Sequence, residues 1–235
     1  MKPVRIEPLG DRALLVVFGE RIVLDLNLRV HACVDVLRAA KLAGVDDIAP
    51  AFASLCVRYN PLAWTQANDD RSAFTRLADR IVTLLLPLET DAVTVPSEAI
   101  EIPVCYEADF APDLDAVAAQ AKLSAGEVIA RHCDGDYRVA MLGFAPGFPY
   151  LLGLDPRLHT PRRNEPRLRV PAGAVAIGGA QTGIYPRESP GGWNIIGRTP
   201  LALFDVARTP PSLLAPAQRV RFRAIDADQF KALSA

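Results

Sequence analysis

The segment GGAQTGIYPRESPGGWNIIGRTP (178–200) sets Gln181, Thr182, Tyr185, Glu188, Trp193 and Arg198 among six glycines and three prolines. Those side chains offer amide and hydroxyl donors, a carboxylate, a guanidinium and a flat ring, more than a plain connection needs. Gly191-Gly192, just before Trp193, lets a backbone approach a ligand closely beside that ring. Upstream, MLGFAPGFPYLLGL (141–154) places Phe144, Phe148 and Tyr150 around Pro146, Gly147 and Pro149. Proline fixes φ and glycine permits positive φ, so the segment encodes a stiff bend. Its rings form either an apolar ligand wall or a plug at the end of a barrel. Between the two lie Arg162, Arg163, Arg167 and Arg169, four arginines in eight residues. The prolines there exclude a helix, and arginine forks suit carboxylate or phosphate. A solvated surface strand with Glu165 as ion partner is the alternative. Together these segments read as a site for a small anionic or amide-bearing molecule.

Other patterns carry less. His132-Cys-Asp-Gly-Asp136 holds metal-binding side chains, but no second cluster accompanies it, and a helix end followed by an Asp-Gly turn accounts for it. No metal site is expected. The helices around Asp113 and Ser124 have helix-turn-helix spacing, yet SAGEVIARHC (124–133) offers only Arg131 and His132 to a nucleic acid. The formal net charge of −1 likewise lacks a basic footprint, so no nucleic-acid partner is expected. There is no G-x-x-x-x-G-K-[ST] loop, no G-x-G-x-x-G fingerprint and no G-x-S-x-G elbow. No apolar run reaches the ~20 residues of a membrane helix, and MKPVRIEPLGDR breaks the pattern of a signal peptide. Cys33, Cys56, Cys105 and Cys133 form no C-x-x-C pair, which points to reduced thiols and a cytoplasmic setting.

Two kinds of element must position the candidate site. Ten of the fifteen glycines fall between Gly143 and Gly197, so the two parts of the chain are built differently. In the first part, 13–18, 45–48 and 54–59 read as strands. Leu26, Val30, Cys33, Val34 and Leu37 recur at helical spacing, as do Phe74, Leu77, Ile81 and Leu84 after a cap at Asp69 or Asp70. With a last strand at 93–95 the order is βαββαβ, the ferredoxin-like plan, an α+β domain over residues 1–92. Residues 93–235 open with a strand at 100–106, then two short helices capped by Asp113 and by Ser124 with Glu127. Short strands at 139–142, 174–177, 201–204 and 219–223 follow among Gly/Pro turns, a mainly-β barrel or sandwich.

The same segments carry a family likeness. LGFAPGFPYLLGL, PRRNEPRLRVPAGAVAIGGAQTGIYP and SPGGWNIIGRTPLALFD resemble the signature of the allophanate hydrolase subunit 1 family, which includes KipI and the B subunit of 5-oxoprolinase. LGDRALLVVFG, SLCVRYNP and IPVCYEADFAPDL extend the resemblance over nearly the whole chain. It departs from the family at Ala174, where serine is common, and at Gly179, where alanine is. The resemblance implies a cyclophilin-like β-barrel after the α+β domain. It implies partners as well, a subunit-2-type protein (the C subunit of 5-oxoprolinase) and the A subunit of 5-oxoprolinase. The implied activity is ATP-driven opening of the 5-oxoproline lactam to L-glutamate. ATP with Mg2+ is expected, at this chain or at one of its partners, with no tightly bound cofactor.

For such a reaction the side-chain chemistry suggests roles. Arg162, Arg163, Arg167 and Arg198 would bind anions, while Gln181, Thr182 and Tyr185 orient an amide. Phe144, Phe148 and Trp193 would exclude water beside Gly191 and Gly192, and Glu188 would position a magnesium ion or water. Tyr185, Glu188 and Arg198 are the candidate catalytic residues. Within the family two other roles stand open: inhibition of a sensor histidine kinase, as described for KipI-type proteins, and a carboxyltransferase half of a urea-degrading system served by biotin.

Overall fold

The structure is a computed structural model describing residues 4–67, 69–89 and 98–234. The chain divides into two compact units, Met1–Val95 and Pro96–Ala235.

The first unit is a four-stranded antiparallel sheet with two helices on one face. Strands β1 (Arg5–Pro8) and β2 (Ala13–Val17) form a hairpin, followed by helix α1 (Leu24–Ala39), strands β3 (Val45–Pro50) and β4 (Ser54–Tyr59), and helix α2 (Ala73–Leu85). Period-2 alternation puts Leu14, Val16, Leu55 and Val57 against Val30, Val34, Leu37, Leu77 and Ile81. Each large apolar side chain buried this way contributes about 1.5–3 kcal/mol.

The sheet order β1-β2-β4-β3 corrects the expected plan. In βαββαβ the last strand would flank the first predicted strand; here β1 occupies that place, pairing Arg5–Pro8 with Leu14–Val17. The described order is ββαββα, and the strand expected at 93–95 lies outside the described residues. The cap of α2 also differs. Ser72 accepts the Thr75 N–H at 3.1 Å, whereas Asp69 is drawn off into ion pairs with Arg71 and Arg76.

The second unit is built on a closed barrel. Its elements are β5 (Ala99–Cys105), α3 (Leu114–Ala121), α4 (Ala125–Asp134), β6 (Tyr137–Leu142), β7 (Pro149–Leu152), β8 (Arg167–Val170), β9 (Ala174–Gly178), β10 (Gln181–Ile184), β11 (Ser189–Gly191), β12 (Asn194–Arg198), β13 (Arg219–Ile225) and α5 (Ala227–Leu233). Around the barrel the strands run β10-β7-β6-β13-β5-β12-β9, and β8 pairs with β11 as a separate ribbon. Residues 201–204, expected as a strand, contribute only an isolated bridge from Phe204 to Ser212. The Ser124–Glu127 capping box of α4 is made in both directions.

One apolar core draws residues from all seven barrel strands, among them Ile102, Val139, Leu151, Ile177, Ile184, Ile196 and Phe222, so it fills the barrel interior. Helices α3 and α4 pack on it through Leu114, Val117 and Val128. The alternate residues of β9, Ala174 and Ala176, join Ala145, Phe148, Val170, Tyr185, Trp193 and Ile195 in a second core. Alternation places that second core on the outer face of the wall.

Candidate functional site

The outer core is where the glycine-rich segments meet. Trp193 lies flat on β9 because residue 178 is glycine: a Cβ there would sit 2.5 Å from the indole ring. Gly191 does the same for Tyr185, whose hydroxyl would meet a Cβ at 2.3 Å. Against these rings folds the bend 144–150. Phe148 contacts Tyr185 and Trp193 edge-to-face, with centroids at 5.1 and 5.8 Å. Tyr150 meets Trp193 at 5.8 Å. Phe144 takes φ +68 and remains 64% exposed, its ring 5.4 Å from Phe148. A non-glycine residue held at positive φ costs about 1–3 kcal/mol, a strain found disproportionately at functional sites.

These rings line a cleft of about 200 Å³ together with Arg162, Arg163, Pro166, Gly191 and Gly192. The loop carrying the arginines is tied down from both sides. Arg163 N–H donates to the Gly192 carbonyl at 2.7 Å, and Asn194 Nδ2 donates to the Pro161 carbonyl at 2.8 Å. The Arg162 guanidinium then lies 5.8 Å from the centroid of Trp193.

Beneath the loop, Asp113 is buried and accepts four hydrogen bonds. Arg163 Nη1 donates to it at 2.9 Å, Arg167 Nη1 and Nη2 at 2.7 and 2.8 Å, and Ile195 N–H at 2.7 Å. The helix cap expected of Asp113 is therefore not made. Its carboxylate is committed to the bidentate arginine, a stronger partner than a neutral N–H. Burial raises the Tyr150 and Tyr185 hydroxyls above the usual tyrosine range, so both are protonated donors at neutral pH.

Eight of the expected residues line this cleft: Phe144, Phe148, Arg162, Arg163, Tyr185, Gly191, Gly192 and Trp193. Five others are held elsewhere. Arg167 is consumed by Asp113. Thr182 points into the barrel, where it bonds His132 Nε2 and the Ala176 carbonyl. Gln181 stands opposite Gly178 on the outer wall, and its buried Nε2 has no hydrogen-bond partner among the described residues. Arg198 donates to the Ala172 carbonyl and lies over Phe230. Glu188 is exposed, 3.8 Å from Arg169. The barrel interior is packed with side chains, and the cleft lies on the outer face of its wall.

Side-chain type and spacing do not single out Asp113, Asn194 or Pro166 as site residues. Tyr150, one of the three rings of the expected aromatic wall, does line the cleft. Asp113 reaches partners 50 and 54 positions away, and no local pattern signals that. A larger cavity of about 380 Å³ in the first unit is lined by Trp64, Gln66, Arg71 and Arg76. Arg76 is paired with Asp69, and Arg71 with Asp69 and Asp79, so two carboxylates offset its two positive charges.

Residues 4–214 match the family described as carboxyltransferase domain, subdomain C and D. The chain is 42% identical to the B subunit of 5-oxoprolinase from Bacillus subtilis over 97% of its own length and 95% of that protein. With the corresponding B subunit from Escherichia coli O157:H7 it shares 55% identity over 57% of this chain and 62% of that one. Among solved structures, TTHA0988 superposes with a TM-score of 0.76 and 38% identity, covering 92% of this chain and 40% of the longer TTHA0988 chain.

Proposed function

We propose, for a chain that belongs to the carboxyltransferase domain, subdomain C and D family, the role its curated relatives carry in their names. It is one component of a 5-oxoprolinase complex, corresponding to the B subunit. The near end-to-end alignment with the Bacillus subtilis protein carries this reading.

The outer cleft supplies suitable chemistry. Hydrolysis of 5-oxoproline adds one water across the lactam C–N bond: hydroxide joins the carbonyl carbon and the nitrogen leaves with a proton, giving L-glutamate. Such a step needs a donor where charge develops on the amide oxygen, and surroundings that shed water. Tyr185, kept protonated by burial, is the donor. Phe148 and Trp193 form the dry wall.

The cleft's volume of about 200 Å³, below the roughly 300–1,000 Å³ of sites for drug-sized ligands, favours a ligand smaller than ATP. The sequence also lacks a glycine loop that cradles phosphates. ATP with Mg2+ is therefore assigned to the partners, of A and C type, and the full reaction to the assembly. The cyclophilin-like description of the barrel and a cytoplasmic setting belong to the same reading.

ATP-dependent release of glutamate from 5-oxoproline tests it, comparing this chain alone with the chain co-expressed with its partners. Activity in the assembly alone is the expected result; folded, associated chains without activity would remove the reading. The carboxyltransferase description of the family favours a second reading, carboxyl transfer from carboxybiotin. A requirement for carboxybiotin would select it.

A further inference from the structure

Three arginines approach the cleft, and the structure sorts them. Arg167 gives both terminal nitrogens to Asp113, and Arg163 gives one. Asp113 thus offsets one of those two positive charges. Arg162 has no ion pair among the described residues; its guanidinium faces the Trp193 ring. The backbone on either side of it is pinned by the hydrogen bonds to Gly192 and from Asn194, so little ordering remains for a ligand to impose. The positive charge of Arg162 also reaches both tyrosine hydroxyls, favouring their ionised forms against the stronger effect of burial. A guanidinium without an ion pair, an indole, two phenol donors and a small volume converge at one place on the outer wall.

We propose that Arg162 is the specificity-determining residue of this cleft and binds the carboxylate of a small lactam acid whose ring lies against Trp193. The lactam ring in this statement rests on the 5-oxoprolinase reading; the carboxylate rests on Arg162 alone. The same guanidinium chemistry suits a nucleotide phosphate, and the cleft volume favours the smaller acid.

Trp193 is the natural reporter. The protein has two tryptophans, and Trp64→Phe leaves Trp193 alone. Full-length protein in that background is titrated with 5-oxoproline, with 2-pyrrolidinone (the same ring without the carboxylate) and with Mg-ATP, following tryptophan emission. We expect 5-oxoproline to bind on the order of 10-fold or more tightly than 2-pyrrolidinone, the scale of one charge-assisted contact. Arg162→Gln should abolish that preference and Arg162→Lys restore part of it, with circular dichroism confirming the fold of each variant. Mg-ATP should not compete. A preference that survives Arg162→Gln, no saturable response to 5-oxoproline, or displacement by Mg-ATP overturns the assignment.

Turnover by the assembled complex separates the two levels. Arg162→Gln should raise KM for 5-oxoproline on the order of 10-fold while changing kcat little. A complex that releases no glutamate, with the Arg162-dependent preference intact, removes the lactamase reading and supports the carboxylate site. Glutamate release with kinetics unaltered by Arg162→Gln does the reverse.

Discussion

Asp113 shows what a single residue contributes to this cleft. Its carboxylate, 5% exposed, joins the start of α3 to the arginine loop and to β12. Removing one partner of a buried charged network is costly because the others lose compensation. Asp113→Asn keeps the shape and loses the charge. It should destabilise the protein by about 2–4 kcal/mol, read as a fall in the urea midpoint at constant slope. A midpoint within error of the parent would mean that Arg163 and Arg167 find equal partners in water. The expected roles of Arg162, Trp193 and Tyr185 can be drawn from side-chain type. That Arg167 is paired with Asp113 while Arg162 has no ion pair among the described residues cannot, because both stand in the same proline-broken run.

At the level of elements, the junction of α4 with the barrel wall rests on His132. It is fully buried, bonded through Nδ1 to the Tyr106 hydroxyl at 2.8 Å and through Nε2 to Thr182 Oγ1 at 3.1 Å. Thr182 donates its proton to the Ala176 carbonyl, so Nε2 carries the hydrogen, and Nδ1 of the neutral ring accepts from the Tyr106 hydroxyl. Burial lowers its pKa from 6.5 to about 3. Below pH 6.5 the unfolded chain takes up a proton that the folded one refuses. The contribution is therefore complete above that pH and declines as pH falls toward 3. Between pH 7.5 and 5 this histidine should account for a loss on the order of 2 kcal/mol. Urea titrations at the two pH values check it, and His132→Gln should flatten the difference. Elements are the most legible level of the sequence. The capping box at Ser124 and the alternation of 54–59 are readable because caps and pleats are local. The Asp113 and Asp69 caps mislead because a distant or competing arginine outweighs a nearby N–H.

Across the molecule, each unit has its own core, and every barrel strand comes from the second unit. A segment that closes its own barrel needs no strand from outside. Residues 96–235 expressed alone should fold, with cooperative urea unfolding and the Trp193 emission of the full-length Trp64→Phe variant. Noncooperative melting would show that the barrel depends on the first unit. Among the described residues no helix is long and apolar enough to cross a membrane.

Local and chemical features are already legible in the chain before it folds. Strands, helices and stiff turns are marked, and rings and guanidiniums concentrate between residues 141 and 200. Gly178 and Gly191 are visible as permissive positions, and the structure shows which ring each one admits. Folding in three dimensions settles that β1 flanks β2 at the edge of the first sheet, that the cleft lies outside the barrel, and which arginine of the loop has no ion pair among the described residues. Propensity and periodicity act over a few residues. Strand order and ion pairing join residues tens of positions apart, and the packed chain selects among partners that look alike in sequence.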